Sequence, residues 1–284
     1  MIIDNLQNYI ELMRLNKPIG TLLLLWPTMV AVLLANHGYP SAGIVFIFLW
    51  GVFIVRAAGC VVNDIIDRDL DKHVAMTKNR PITSGKVSVK AAGVLVGILL
   101  LLALILVLFL NRATFLMACC AVVMTAVYPF FKRFTYFPQV WLGIVFNWGV
   151  LMAFTAVNGR IPMAGYLLYI ASVLLTIAYD TLYGITDQAD DLKIGIKSTA
   201  ILFGKYDYKI IGFLQAIAIV LLLTTGLILQ LNFWYYLGLL SMMVLFFYQH
   251  LLIKDRQPER CFQAFMNNNY SWLVIFIGVL LSYL

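Results

Sequence analysis

Nine long apolar stretches run through this chain of 284 residues, and they restrict its possible folds more than any other feature. A helix needs about twenty apolar residues to cross the hydrocarbon core of a bilayer. Because no water reaches backbone polar groups there, a spanning segment must satisfy them internally, as a helix does. Hydrophobic residues make up 63% of the chain and charged residues only 12%, which excludes an ordinary soluble domain. We therefore predict an all-α fold, a polytopic membrane bundle of nine transmembrane helices.

The predicted bundle fills the chain as a single transmembrane domain, residues 1–284. Residues 1–17 place Ile2, Leu6, Ile10 and Met13 roughly on one helical face, which predicts a helix lying at the membrane surface. The predicted transmembrane helices cover residues of about 18–36, 42–62, 91–110, 113–131, 140–157, 163–183, 210–230, 233–253 and 270–284.

Lysine and arginine are distributed unevenly between the loops. Seventeen of the 20 fall in the N-terminal segment and after the second, fourth, sixth and eighth predicted helices. The other loops hold only Arg112 and Arg160, and Arg56 lies within a span. Because cytoplasmic loops are rich in cations, we place the N-terminus in the cytoplasm and the C-terminus in the periplasm. The segment before the first span is not Ser- and Arg-rich, which favours a bacterial inner (plasma) membrane over a mitochondrial one.

Acidic residues are concentrated in two short segments, which hold eight of the 13 and lie at the predicted cytoplasmic side, after helices two and six. Helical spacing gathers the polar residues of each segment on one face. The face in the first segment consists of Asn63, Asp67 and Asp71, with Asp64 at its edge. The face in the second segment consists of Asp180, Asp187 and Asp191.

Clustered carboxylates repel one another and are costly near a membrane, so a compensating charge is expected. A divalent cation provides it, and magnesium typically combines one or two carboxylates with substrate phosphates and water. Two facing helices with such clusters predict a site that holds Mg2+ and clamps a diphosphate. The alternative is a solvated charged loop beside a span, which fits the mixed run from Asp69 to Lys72 better than it fits the repeated helical spacing.

Four segments carry a resemblance to a known family. The pattern NDxxDxxxD at 63–71, continuing into Asn79-Arg80-Pro81, resembles the signature of the intramembrane aromatic prenyltransferases, and DxxxD at 187–191 resembles their second motif. Residues 193–199 and 14–27 are similar to the 4-hydroxybenzoate polyprenyltransferases of ubiquinone synthesis. The resemblance covers the whole chain. Some members of the superfamily carry a lysine four residues before DxxxD, where this chain has Tyr183.

The resemblance implies a magnesium-dependent enzyme. Its reaction would transfer a polyprenyl group from polyprenyl diphosphate to the ring carbon ortho to the hydroxyl of 4-hydroxybenzoate, a membrane step of ubiquinone biosynthesis. The implied metal ligands are Asn63, Asp67, Asp187 and Asp191, with Asp64 and Asp71 in support. The implied catalytic acids are Asp67, Asp71, Asp187 and Asp191.

Several cations near the acidic segments are candidates for binding the diphosphate. We favour Arg80, which follows the first motif, and Arg133, which ends the fourth helix on the same side. Lys72, Lys193 and Lys197 are further candidates. Each of these residues has the alternative of being one of the many cations that cytoplasmic loops carry.

Arg56 lies seven residues before Asn63 and so points along the metal face. An arginine within a span is a functional residue by default. Our hypothesis is that Arg56 binds the benzoate carboxylate; its competing role is to orient the metal carboxylates. Asp180 and Tyr183 are assigned to the same aromatic substrate, and Asp180 has the alternative of a metal ligand or of a partner to one.

Other functions make different demands on the sequence. Ion or lipid transporters also use intramembrane carboxylates, but their sites lie near the bilayer midplane, whereas these acids lie at one side. A membrane phosphoalcohol transferase would carry DxxDGxxAR, which this chain lacks. Related prenyltransferases act on naphthoates or homogentisate. No feature predicts binding of nucleic acid, and none specifies prenyl chain length or oligomeric state.

Overall fold

The structure, a computed structural model, describes residues 2–72 and 77–284, and in that part of the chain all regular secondary structure is helical. The helices are α1 (Ile2–Leu12), α2 (Ile19–Ala35), α3 (Ala42–Asp71), α4 (Val89–Val107), α5 (Arg112–Phe134), α6 (Pro138–Phe146), α7 (Trp148–Asn158), α8 (Met163–Ile194), α9 (Thr199–Phe203), α10 (Asp207–Ile228), α11 (Phe233–Ile253) and α12 (Pro258–Ser282). A short 3-10 helix, Gly204–Tyr206, joins α9 to α10.

Eight segments in the described ranges are long and apolar enough to cross a membrane, so the chain is a multi-pass membrane protein. Two of them combine neighbouring helices: α6 with α7, and α9 with α10. The remaining apolar helix, α2, has 17 residues and lies at the centre of the bundle, with most of its side chains buried. The count of nine spans depends on this shorter helix and stays a prediction.

Two helices extend well past their predicted apolar ends. α3 has 30 residues and α8 has 32, or roughly 45 and 48 Å at about 1.5 Å per residue, against a hydrocarbon core of about 30 Å. The helix therefore continues beyond Val62 in α3 and beyond Tyr183 in α8, through both acidic segments. As the spacing predicts, each acidic segment is helical.

The last helix begins at Pro258 rather than at about residue 270. Its first half is polar in sequence, but the amides point into the bundle. Asn267 accepts a hydrogen bond from Gln249 at 3.0 Å, and Asn269 accepts one from Trp26 at 2.7 Å. Because these polar groups are satisfied internally, the helix can extend through a stretch whose composition predicts a loop.

Both acidic helices end at the same end of the bundle. α8 packs against α6, α10 and α12, while α3 packs against α2 and α4. Leu12 of α1 is fully buried against Val61 and Ile82, so the N-terminal segment lies at this end as well. The opposite end is joined by hydrogen bonds such as the one from Asn232 to the carbonyl of Ser282.

Candidate functional site

Three aspartates of α3 turn inward at the end of the bundle. Asp64, Asp67 and Asp71 are 2%, 0% and 5% exposed. Their spacing of three and four residues keeps them on one helical face, whereas Arg68 and Asp69 lie on the exposed face of the same turns. Carboxylates this deeply buried require cationic or hydrogen-bonding partners.

Arg80 supplies one such partner. Its Nη1 lies 3.0 Å from Oδ1 of Asp64 and 2.7 Å from Oδ2 of Asp71. The loop that carries Arg80 is anchored because Ile82 and Val87 are buried against α1, α3 and α4. A packed loop thus fixes a guanidinium between two buried carboxylates.

Arg14 is a second partner, and its place in the site is not predicted from the sequence. Its Nη2 donates to Oδ1 of Asp64 at 2.9 Å. Burial lowers the pKa of Arg14, but the negative charge of Asp64 and the hydrogen bond to it raise that pKa, which lies above the ordinary value, so the cation persists at any physiological pH. Arg14 has a φ of 56°, a left-handed conformation that costs a non-glycine residue about 1–3 kcal/mol. The one available signal was its position in the motif at 14–27.

Arg133, at the end of α5, approaches the same face from outside. Its Nη2 lies 3.8 Å from Oδ1 of Asp67 and donates to the carbonyl of Ile66 at 3.2 Å. The guanidinium also lies over the ring of Phe130, 5.5 Å from its centroid. With a side chain 39% exposed, Arg133 is open to a ligand arriving from the aqueous side.

The second acidic segment faces the first across this region. The charge of Arg80, which holds Asp64 and Asp71, also acts on Asp187 and on the Tyr183 hydroxyl of α8. Arg14 acts on Tyr183 as well. The ring of Tyr183 packs against Phe265 of α12 at 5.2 Å between centroids. The second acidic segment therefore lies within electrostatic range of Arg80 and Arg14.

Arg56 lies deeper in the bundle, between three helices. It donates through Nη1 to Sγ of Cys60 at 2.8 Å, and its Cζ lies 5.8 Å from the ring centroid of Phe146. Its charge acts on Asp180 of α8. α2 passes close by because it has glycine at position 20: a Cβ there would lie 2.5 Å from Nη2 of Arg56.

The three lysines predicted to bind the diphosphate make their contacts away from the buried carboxylates. Lys72 and Lys193 are exposed, and each pairs at 2.9 Å with an acid three residues earlier, Asp69 and Asp190. Lys197 donates to the carbonyl of Phe134 at 3.4 Å. These contacts place the three lysines at the rim of the site, and their role stays a prediction.

Comparison with known proteins identifies the family of this chain. The model of the UbiA prenyltransferase family matches residues 24–275. The chain belongs to the UbiA prenyltransferase family. A 4-hydroxybenzoate octaprenyltransferase of Coxiella burnetii is 50% identical to this UbiA-family chain over 280 residues, 99% of this chain and 98% of that protein.

Two solved structures have the same fold as this member of the UbiA family. One is the apo structure of a UbiA homolog from Aeropyrum pernix K1, with a TM-score of 0.82 and 23% identity over 93% of this chain and 98% of that one. The other is a UbiA homolog from Archaeoglobus fulgidus bound to GPP and Mg2+, with a TM-score of 0.73 and 21% identity over 96% and 99%.

The donors at the UbiA-family site suit a hard divalent cation, because they are carboxylate oxygens that bundle packing holds out of bulk water. Within residues 2–72 and 77–284, no three His, Cys, Asp or Glu side chains are grouped closely enough to hold a metal by themselves. Arg80 lies between two of the carboxylates instead. The assignment of metal ligands stays a prediction.

Proposed function

We propose that this chain transfers a polyprenyl group from polyprenyl diphosphate to the ring carbon ortho to the hydroxyl of 4-hydroxybenzoate, as a membrane step of ubiquinone biosynthesis. The observation that carries the proposal is the 50% identity, over nearly the full length of both chains, to a protein named for this acceptor. The buried acids and arginines described above are suited to an anionic diphosphate head, and the surrounding bilayer to its apolar tail.

We propose that Mg2+ is the cofactor, held by Asn63, Asp67, Asp187 and Asp191 with support from Asp64 and Asp71. Bound there, the ion would neutralise charge that develops on the departing diphosphate. The complex of a UbiA homolog with GPP and Mg2+ supports this choice, since that protein has the same fold.

The arginines supply the cationic part of the diphosphate site. Arg80 is held within the acidic face, and Arg133 lies at its exposed edge. Guanidinium groups match the planar, bidentate geometry of phosphate oxygens. As the allylic C–O bond breaks, the electron pair leaves with the diphosphate, and these fixed charges stabilise it more in the transition state than in the substrate.

We assign the acceptor carboxylate to Arg56. It lies within the spanning part of α3, and its contacts with Phe146 and Cys60 fix its orientation. A guanidinium there would bind the benzoate carboxylate and direct the phenol ring toward the allylic carbon. As the C–O bond to the diphosphate breaks, a new C–C bond forms, and the ring carbon loses its proton to a nearby carboxylate or to the released diphosphate. Asp180 lies within electrostatic range of Arg56, which agrees with its assignment to the same substrate.

The location and orientation of the protein in the membrane are part of the proposal. We propose a bacterial inner membrane with the N-terminus and both acidic helix ends in the cytoplasm and the C-terminus in the periplasm. The cation distribution supports this orientation. A cysteine-accessibility experiment with probes at Lys86 and Tyr39 would test it.

A prenyl-transfer assay on purified membranes tests the function. Geranyl and longer polyprenyl diphosphates are offered with labelled 4-hydroxybenzoate, with and without Mg2+, to the wild type and to Asp67→Asn. Magnesium-dependent product that the variant loses supports the proposal. Product from a naphthoate or homogentisate alone would overturn the acceptor, and transfer to no aromatic by folded protein would overturn the enzyme in favour of transport.

A further inference from the structure

Gln188 connects the second acidic segment to two other parts of the chain. It lies between Asp187 and Asp191 in sequence, and its side chain is hydrogen-bonded at both ends. Its Nε2 donates to the carbonyl of Ala200 in α9 at 3.0 Å, and its Oε1 accepts from Nη2 of Arg256 at 3.3 Å. Neither contact involves an acid of the motif.

Arg256 reaches Gln188 from the connection between α11 and α12. The same Nη2 lies 2.7 Å from Oδ2 of Asp207, a residue only 1% exposed at the start of α10. One guanidinium therefore ties together α8, α10 and the α11–α12 connection. Asp207 also accepts from the backbone N–H of Tyr208 at 2.6 Å through its other oxygen, which fixes the carboxylate that orients Arg256.

The backbone of Arg256 has a φ of 51°, in the left-handed region that favours glycine. Such a conformation costs a non-glycine residue about 1–3 kcal/mol and persists where the surroundings impose it. An arginine in a position suited to glycine indicates that its side chain, rather than its backbone, is needed there.

Two features of the C-terminal end of α8 would leave its position poorly constrained without these contacts. Asp187 and Asp190, three residues apart on one helix, repel each other as like charges. The helix is also long enough to project past the hydrocarbon core, where lipid packing no longer confines it. An unsupported turn would move its carboxylates apart, away from the face of α3.

We propose that Arg256 is a positioning residue which, through Gln188, holds the turn from Asp187 to Asp191 in the orientation that binds a magnesium–diphosphate head. The inference rests on the proposed function, because it assigns a task to a residue that does not touch the reacting atoms.

A double-mutant cycle tests the coupling. Arg256→Gly removes the side chain and also relieves the left-handed strain, so that the variant is not destabilised by its backbone. Gln188→Ala removes the side chain that connects Arg256 to α8. In lipid nanodiscs we expect each single variant to bind geranyl diphosphate with Mg2+ about tenfold more weakly, equal to about 1.4 kcal/mol. The double variant should lose less than the sum of the two single losses, because both variants remove the contact between Arg256 and Gln188.

Hydrogen exchange on the protein without Mg2+ or diphosphate gives a readout that does not depend on activity. The amides of residues 184–191 should exchange faster in both single variants. The matched control is Arg260→Gly, which removes a neighbouring arginine from an exposed pair with Asp255 at 3.5 Å. It should leave both the exchange and the affinity unchanged.

The KM for the aromatic acceptor should stay at the wild-type value in Arg256→Gly, which separates positioning of the diphosphate site from general loosening of the bundle. Additive losses in the double variant, or unchanged exchange at 184–191, would overturn the inference. A wild type that binds magnesium–geranyl diphosphate but prenylates no aromatic would overturn the proposed function alone, and the exchange experiment would still decide the role of Arg256.

Discussion

Nη1 of Arg80 lies 2.7 Å from Oδ2 of Asp71, inside the face that the sequence assigns to a metal. The same atom contacts Asp64 at 3.0 Å, so one guanidinium compensates two carboxylates that are 2% and 5% exposed. When a magnesium–diphosphate head binds, Mg2+ can compensate the charge of the carboxylates. The phosphate oxygens can accept hydrogen bonds from the guanidinium. We therefore expect Arg80 to turn from the carboxylates toward the phosphate when that head binds.

Replacing Arg80 should remove its pairing with the buried carboxylates and weaken binding of the diphosphate. For Arg80→Gln we expect kcat/KM for the polyprenyl diphosphate to fall about 10²–10³-fold, the usual loss when a donor that stabilises transition-state charge is removed. Arg80→Lys keeps the positive charge but loses the planar guanidinium that can donate two parallel hydrogen bonds. Its kcat/KM should therefore lie between those of Arg80→Gln and the wild type. Steady-state kinetics in nanodiscs measures both.

The control for Arg80 is Arg112→Gln, at the opposite end of the bundle, which should behave as wild type. Removing a partner from buried carboxylates also destabilises the fold. Binding of geranyl diphosphate is therefore compared only at temperatures where the variant is folded. A variant that is folded and binds diphosphate normally would contradict the role of Arg80.

Asp67 offers the sharpest test of the metal site, because it is fully buried on the acidic face. Asp67→Asn retains the shape and removes the charge, so we expect loss of magnesium-dependent transfer and a higher Mg2+ concentration for half-maximal binding of geranyl diphosphate. Asp69→Asn is the matched control: its side chain is 71% exposed on the same helix and pairs with Lys72. Equal effects of the two variants would contradict a metal role for Asp67.

Arg56 is expected to act on the acceptor alone. Arg56→Met should raise the KM for the benzoate acceptor about 10- to 100-fold, since a hydrogen bond to a charged group contributes about 1.5–3 kcal/mol. The KM for the diphosphate should stay unchanged. If Arg56 instead orients the metal carboxylates, the KM for the diphosphate should rise and the KM for the benzoate acceptor should stay unchanged.

An uncharged acceptor adds a second readout for Arg56. The wild type should prefer 4-hydroxybenzoate to 4-hydroxybenzamide, and Arg56→Met should lose that preference because the cation that distinguishes them is gone. An unchanged KM for the benzoate acceptor would reject the carboxylate hypothesis. Initial rates with each acceptor, at saturating diphosphate, provide the comparison.

Helical spacing predicts part of the first acidic face, because periodicity is a local property. It places Asn63, Asp67 and Asp71 on that face with Asp64 at its edge, whereas in the structure Asp64, Asp67 and Asp71 are buried and Asn63 is half-buried. Spacing does not reveal partners that are distant in the chain. The sequence therefore presents Arg14, 50 residues from Asp64, only as a loop cation and as the first residue of the motif at 14–27.

Two further differences between sequence and structure have local causes. Lys72 and Lys193 each pair with an acid three residues earlier in the chain. A count of the cations near the acidic segments does not show that these local acids compete with the diphosphate for them. The start of α12 was placed too late because Asn267 and Asn269 are polar in sequence. In the structure both accept hydrogen bonds from other helices.

Gly20 should affect acceptor binding without contacting the acceptor. In Gly20→Ala the new Cβ would lie 2.5 Å from Nη2 of Arg56, so either the guanidinium or α2 must shift. A displacement of about 1 Å at a positioned group can cost up to about 100-fold in rate. We expect the KM for the benzoate acceptor to rise about tenfold, in the same direction as in Arg56→Met, with the KM for the diphosphate unchanged.

Gly97→Ala is the matched control for Gly20, because a Cβ at that position of α4 meets nothing within 4 Å. Alanine is the better helix former, so this variant should be as active as wild type and no less stable. If Gly20 acts only through Arg56, then Gly20→Ala combined with Arg56→Met should be no worse than Arg56→Met alone. Additive losses would instead show that Gly20 serves the packing of α2 and does not position the guanidinium.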